Sequence, residues 1–259
     1  IASYFQNNVK VIYADVMGRK EAFAYFFYPD RLQNSAILLF RGTTSTRDWF
    51  QDFKMQLLPF SVLRGKNMKC LSEYRGRVHR GFMELYYQMH AQIKNAIVQY
   101  NHTVRPSIRH ILIAGHSLGA ALSTLCAHDL SMWSRNDLLS TVYLFGSPRV
   151  GDAEFCKQYN RFVPRSIRFH NILDPICDTP SQLLGYQHVR NRVPFNVNPR
   201  YLNISSDNSP HSLLCYLYGL RPDAQEFAIL GKSYNMAQSN YEIPRIYNDE
   251  DSETCSYES

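Results

Sequence analysis

Apolar positions along the chain change period in a regular way, from runs suited to strands to stripes suited to helices. Val9–Asp15 and Glu21–Tyr28 alternate at a period near two, with Met17-Gly18-Arg19 turning between them, and read as paired strands. Ala36–Phe40 (AILLF) and Ile111–Ala114 are short continuous apolar runs, the pattern of strands covered on both faces. Thr141–Phe145 and Ile167–Asn171 read as two further strands. Between them Gly81–Tyr100, Leu118–Ser134 and Asp152–Tyr159 carry helical spacing, and His211–Gly219 closes the series as a helix. Such alternation predicts an α/β fold with a central, mostly parallel sheet and helices on both faces. A chain of 259 residues fits one such domain, expected over residues 1–246, followed by an acidic tail at 247–259 expected to be flexible.

One turn in this pattern carries chemistry. Gly115-His116-Ser117-Leu118-Gly119 joins an apolar strand to a helix, and G-x-S-x-G in that setting makes Ser117 a candidate nucleophile. The serine must sit on a sharp, strained turn, and strand and helix can close on it only if residues two positions away are nearly free of side chain. Gly115 and Gly119 meet that need, with Ala120 and Ala121 extending the small surface. The turn also sets Ser117 at a helix N-terminus, where the dipole and unpaired N–H groups favour developing negative charge.

Composition narrows the remaining classes. Hydrophobic residues make up 45% and charged residues 19%, a globular and not a disordered balance. The most apolar stretch, Ile111–Ala127, is interrupted by His116, Ser117, Ser123 and Thr124, so any membrane contact is expected to be peripheral. Net charge is +6, and the tail alone carries −5 from Asp249, Glu250, Asp251, Glu253 and Glu258, so the rest carries the difference, +11. The basic excess is densest at Arg64, Lys66, Lys69, Arg75, Arg77 and Arg80, against Glu73. It fits either a solvated basic loop or a surface that favours anionic lipid. No nucleic-acid-binding motif accompanies the charge, and a nucleic acid partner is not expected. The six cysteines form no Cys-x-x-Cys pair and no two histidines have convincing metal-ligand spacing, so neither a metal nor another cofactor is expected. The start at Ile1 reads as a mature chain or an excised fragment. Sequons at Asn101-His102-Thr103 and Asn203-Ile204-Ser205 incline the expectation toward a secreted or luminal protein.

Six segments then fall into a recognisable order. Phe40-Arg41-Gly42-Thr43-Thr44-Ser45-Thr46-Arg47-Asp48-Trp49 resembles the oxyanion loop and lid of the class 3, fungal-type lipases, a family of α/β-hydrolases. AGHSLGA at 114–120 resembles their nucleophile turn, and Phe145-Gly-Ser-Pro-Arg-Val-Gly151 the strand and loop that follow. Asn171-Ile-Leu-Asp-Pro-Ile-Cys-Asp-Thr-Pro180 is similar to the acid-bearing segment, with Gly185-Tyr186-Gln187-His188 at the family spacing after it. His211-Ser-Leu-Leu-Cys-Tyr216-Leu-Tyr-Gly219 resembles the His-bearing helix of plant-type members.

The resemblance covers residues 20–220 and implies roles. Ser117, Asp174 and His211 follow the order nucleophile, acid, base of an α/β-hydrolase triad. Asp178 is the rival acid and His188 the rival base; His116 is expected to pack beside the nucleophile, and Asp152 and Asp129 to be surface or capping residues on helices. The N–H of Leu118 and, by resemblance, that of Thr43 would form the oxyanion hole. Ser45 can cap a helix on which Trp49, Phe50, Phe53 and Leu57 share one face, at the position where family members carry a mobile lid. An ordinary helix burying the same stripe is the competing reading. The implied activity is hydrolysis of lipid esters at a lipid–water interface, with peripheral contact to a membrane or lipid droplet. Triacylglycerol is the first expected substrate, phospholipid (phospholipase A1 activity) the second and other carboxylic esters the third. The rival from another class is a lipase-like scaffold that binds lipids or partners without turnover.

Overall fold

The computed structural model describes residues 9–28, 34–42, 55–60, 76–103, 107–134, 137–201 and 209–220. Strands β1 (Val9–Val16) and β2 (Arg19–Phe27) form an antiparallel hairpin, and β2 pairs antiparallel with β3 (Ser35–Phe40). Met17 and Gly18 both have positive φ, 52° and 77°, the two-residue hairpin turn whose twist matches that of the flanking strands. The sheet continues in parallel through β6 (His110–His116), β7 (Leu139–Phe145), β8 (Ser166–Asn171) and β9 (Arg192–Phe195), in the order β1-β2-β3-β6-β7-β8-β9. A small antiparallel pair, β4 (Leu57–Pro59) with β5 (Arg77–His79), lies outside this sheet.

Helices α1 (Arg80–Thr103), α2 (Leu118–Trp133) and α3 (Ala153–Phe162) pack on one face, and α4 (Leu213–Leu220) packs on the other. Alternation along β7 shows why. Val142 and Leu144 enter the main core with Leu122, Leu125 and Phe155, while Phe145 joins Phe169, Phe195 and Tyr216 in a second cluster. Helix α2 is buried from Leu118 to Ser131, on every side, as expected of a helix lying between the sheet and its neighbours.

Four details differ from the sequence reading. β9 escaped it because four residues including Pro194 carry too short a pattern; a proline lacking an N–H fits the position of β9 at the end of the strand order. Leu57 lies in β4 and is not the last member of a helical stripe; Thr43 and the lid residues Trp49, Phe50 and Phe53 lie outside the described residues, as does the acidic tail. His211 precedes α4 in a turn and is not on the helix itself. Asp129 is neither a surface nor a capping residue. Only 2% exposed, it accepts from Lys94 Nζ at 2.7 Å and from Tyr86 Oη at 2.9 Å, tying α2 to α1.

Candidate active site

Strand β6 ends at His116, and α2 begins at Leu118, so a single residue makes the turn. Ser117 adopts φ 59° and ψ −126°, a conformation that costs a non-glycine residue about 1–3 kcal/mol and persists only where surrounding structure enforces it. Its N–H donates to Phe145 O at 2.9 Å, and its carbonyl accepts from Ala120 N at 2.9 Å. The flanking glycines are required by close approach. A Cβ on Gly115 would stand 2.3 Å from Gly119 C and O, and one on Gly119 would stand 2.5 Å from Phe40 O. These two positions let β6, α2 and the end of β3 converge on the serine. They also bring Gly42 alongside, where a Cβ would lie 3.7 Å from that of Ser117. Leu118 occupies the first turn of α2, where its N–H has no helical carbonyl to bond and forms part of the positive end of the helix dipole.

The acid follows β8 at the same carboxyl end of the parallel sheet as the nucleophile, two strands along, and the base meets it there. Asp174 follows β8 and caps a short 3-10 turn (Pro175–Asp178), accepting from Ile176 N at 2.9 Å through Oδ1. Its Oδ2 lies 2.7 Å from His211 Nδ1. Both side chains are buried, Asp174 at 1% exposure and His211 at 6%. Burial pushes the Asp174 carboxyl upward, but the hydrogen bonds and charge of His211, with those from Tyr216 and Ile176 N–H, outweigh it and hold the group below its ordinary value. With Nδ1 engaged, Nε2 is the nitrogen of His211 left for other partners. Neither His211 Nε2 nor Ser117 Oγ has a hydrogen-bond partner in this structure.

Two residues hold the pair against the nucleophile turn. The His116 ring lies tilted by 31° beside that of His211, centroids 4.6 Å apart, and its Nε2 donates to His211 O at 2.8 Å. Burial drives His116 down to about 4, so the ring is neutral at pH 7. Gly146, directly after β7, has φ 56°, and a Cβ there would come 3.1 Å from Asp174 Oδ2 and from His211 Cε1.

The rival residues are occupied elsewhere. Asp178 pairs with Arg149 Nη2 at 3.2 Å, with its side chain 70% exposed. Arg149 also donates to the backbone carbonyls of Asp178 and Pro180, pinning the acid-bearing loop. His188 Nε2 donates to Cys177 O at 2.7 Å. Asp152 caps α3 through Phe155 N and pairs with Arg77. Cys126, Cys156, Cys177 and Cys215 are all buried. Gly146 and Tyr216 were not singled out from sequence, although Gly146 stands inside F-G-S-P-R-V-G and Tyr216 in H-x4-Y. Tyr216 Oη donates to Asp174 Oδ2 at 2.6 Å.

A mostly parallel sheet carrying a strained serine at the strand-to-helix turn, with a bonded Asp–His pair presented beside it, is the α/β-hydrolase arrangement. The chain belongs to the class 3 lipase family, whose model matches residues 37–184. Phospholipase A1-II 7 of Oryza sativa subsp. indica is 25% identical over 80% of this chain and 59% of its own length. Secreted mono- and diacylglycerol lipase 1 of Fusarium solani is 26% identical over 69% and 49%. The chain thus spans about half the length of these curated relatives. Among solved structures, the triacylglyceride lipase of Rhizomucor miehei superposes with a TM-score of 0.57 at 23% identity, over 75% of this chain and 69% of that one.

Proposed function

We propose that this chain hydrolyses carboxylic esters of lipids through a covalent acyl-enzyme, with Ser117 as nucleophile, His211 as general base and acid, and Asp174 as the acid that orients it. The observation that carries the reading is the buried Asp174–His211 bond of 2.7 Å presented beside a serine held at φ 59°. Asp174 fixes the tautomer with the proton on Nδ1, which leaves Nε2 basic. As Ser117 Oγ attacks the ester carbonyl, its proton passes to His211 Nε2, and the resulting imidazolium is stabilised by Asp174. The oxyanion is held by the Leu118 N–H and by Thr43, the residue after Gly42; each such donor contributes on the order of 3 kcal/mol. His211 then protonates the leaving alcohol. Water activated by the same imidazole attacks the acyl-enzyme, and collapse returns the proton to Ser117. The open contact between Ser117 Oγ and His211 Nε2 closes when substrate binds, as is common in unliganded hydrolases.

Ser117 is fully shielded from solvent, which supports a cover that moves at a lipid surface. We place that lid at the segment bearing Trp49, Phe50 and Phe53, whose aromatic side chains suit insertion into lipid. The substrate is a lipid ester, triacylglycerol first, in line with the Rhizomucor neighbour. The rice phospholipase A1 relative favours phospholipid as a second reading. The secreted Fusarium lipase supports a secreted protein, and a lipid-ester substrate would bring it into peripheral contact with a membrane or lipid droplet. Among the described residues no helix is long and apolar enough to cross a membrane. Hydrolysis of a triacylglycerol emulsion and of phosphatidylcholine vesicles, by wild type and Ser117→Ala in parallel, tests the proposal. Activity lost in the variant supports it, and the ratio of the two rates selects the substrate class. Equal activity in the variant refutes it, and a folded wild type inactive on both lipids and on soluble esters returns the scaffold reading.

A further inference from the structure

Asp174 Oδ2 receives two strong donors. His211 Nδ1 reaches it at 2.7 Å, and Tyr216 Oη, from the helix that follows His211, reaches the same oxygen at 2.6 Å. The hydroxyl of Tyr216 is wholly committed. While it donates to Asp174, it accepts from Asn171 N at 3.3 Å, and the Cys177 thiol lies 3.5 Å away and 3.6 Å from the same carboxylate oxygen. One phenol oxygen therefore joins the end of β8, the acid loop and α4. Its ring is 0% exposed and meets Phe195 edge-on at 5.2 Å, so the hydroxyl has a fixed approach to the carboxylate. Burial and the neighbouring Cys177 and Asp174 push the phenol far above its ordinary range, so it stays a donor across the working pH. Tyr216 stands three residues after Leu213, the first residue of α4, just under one helical turn, which brings it back under the His211 turn.

We propose that Tyr216 is a positioning residue of the Asp174–His211 couple. By sharing Oδ2 it fixes the carboxylate plane and withdraws charge from the oxygen that the imidazole faces, so the base is held in place without being over-stabilised as its cation. The inference rests on the triad reading above. Without the Tyr216 bond Oδ2 would keep more of its charge and would bind the imidazolium more tightly. Among the described residues the other titratable groups that act on the couple are His116, against the His211 ring, Cys177 beside Asp174, and His170 on β8. None of them donates a strong hydrogen bond to Oδ2.

The test is Tyr216→Phe, which keeps the ring against Phe195 and removes only the hydroxyl. On a soluble short-chain p-nitrophenyl ester, kcat is expected to fall about 10-fold with KM little changed, because the carboxylate plane that orients the imidazole is no longer fixed. The acid limb of kcat/KM against pH is expected to move up by about half a unit. The His211 Nδ1 proton resonance, assigned by its loss in Asp174→Asn, is expected to move downfield without any substrate present. Replacing Tyr216 by 3-fluorotyrosine, a stronger donor of the same shape, should move both profile and resonance the opposite way, and serves if the phenylalanine variant fails to fold. Ser117→Ala is assayed alongside. If it abolishes hydrolysis while the Tyr216 variants match wild type in profile and resonance, the triad stands and the role of Tyr216 is overturned. If Ser117→Ala retains hydrolysis, both fall together.

Discussion

Replacing Gly146 by alanine probes how tightly the Asp–His pair is seated. The added methyl group would meet Asp174 Oδ2 and His211 Cε1 at 3.1 Å and His211 Nδ1 at 3.2 Å, where ordinary contact begins near 3.4 Å. The backbone cannot yield easily, because φ is already +56° and alanine in that region costs about 1–2 kcal/mol. The pair must therefore shift by a few tenths of an ångström. Misplacement by 1 Å is commonly worth about 100-fold in rate, so a third of that distance is worth roughly 5-fold. We expect Gly146→Ala to lower kcat on a soluble p-nitrophenyl ester by about 5-fold, to leave KM within about twofold, and to reduce unfolding stability in urea by about 1–2 kcal/mol. A variant that loses the stability but keeps wild-type kcat would refute the reasoning. It would show that the methyl group is accommodated without touching the catalytic pair.

Two further predictions concern stability. His128 is fully buried between Phe60, Phe155, Tyr159 and Phe162, and burial lowers it to about 4, against 6.5 when unfolded. Its contribution is therefore fully present above pH 6.5 and is lost as pH falls toward 4, by about 2 kcal/mol at pH 5. In His128→Phe the difference in urea stability between pH 7.5 and pH 5 should shrink by about that amount; an unchanged difference would remove His128 from the acid response. Lys94→Ala should destabilise the fold by about 3 kcal/mol by leaving Asp129 charged and buried with Tyr86 as its remaining side-chain donor. Most of that loss should return in a Lys94→Met, Asp129→Leu double variant, as read by urea unfolding, and a double variant no more stable than Lys94→Ala would contradict the assignment.

Local signals in the sequence were strong where one segment carried the whole pattern. AILLF and ILIA read as parallel strands because their apolar runs are short and continuous, although only alternate residues are fully buried and Leu39 is 38% exposed, and G-x-S-x-G read as the elbow because its glycines answer a purely local steric demand. What stayed illegible depends on partners far away in the chain. Asp129 looks like any acid on a helix until Lys94 and Tyr86, 35 and 43 residues away, meet it inside the protein. Gly146 is a turn glycine in sequence; only the arrival of residues 174 and 211 shows what its missing side chain makes room for. Tyr216 likewise acquires its partner through contact between α4 and the acid loop, which periodicity within α4 cannot reveal. β9 is short and interrupted by proline, so its place is set by β8 more than by its own pattern.

The central claim is that Ser117 is an activated nucleophile, and covalent labelling tests it most directly. The folded protein would be treated with a fluorophosphonate ester and digested, and the modified residue located by mass spectrometry. The account predicts a single stoichiometric adduct on Ser117, absent in Ser117→Ala and strongly slowed in His211→Gln. A folded protein that takes no label, or takes it equally on another residue, would contradict the account.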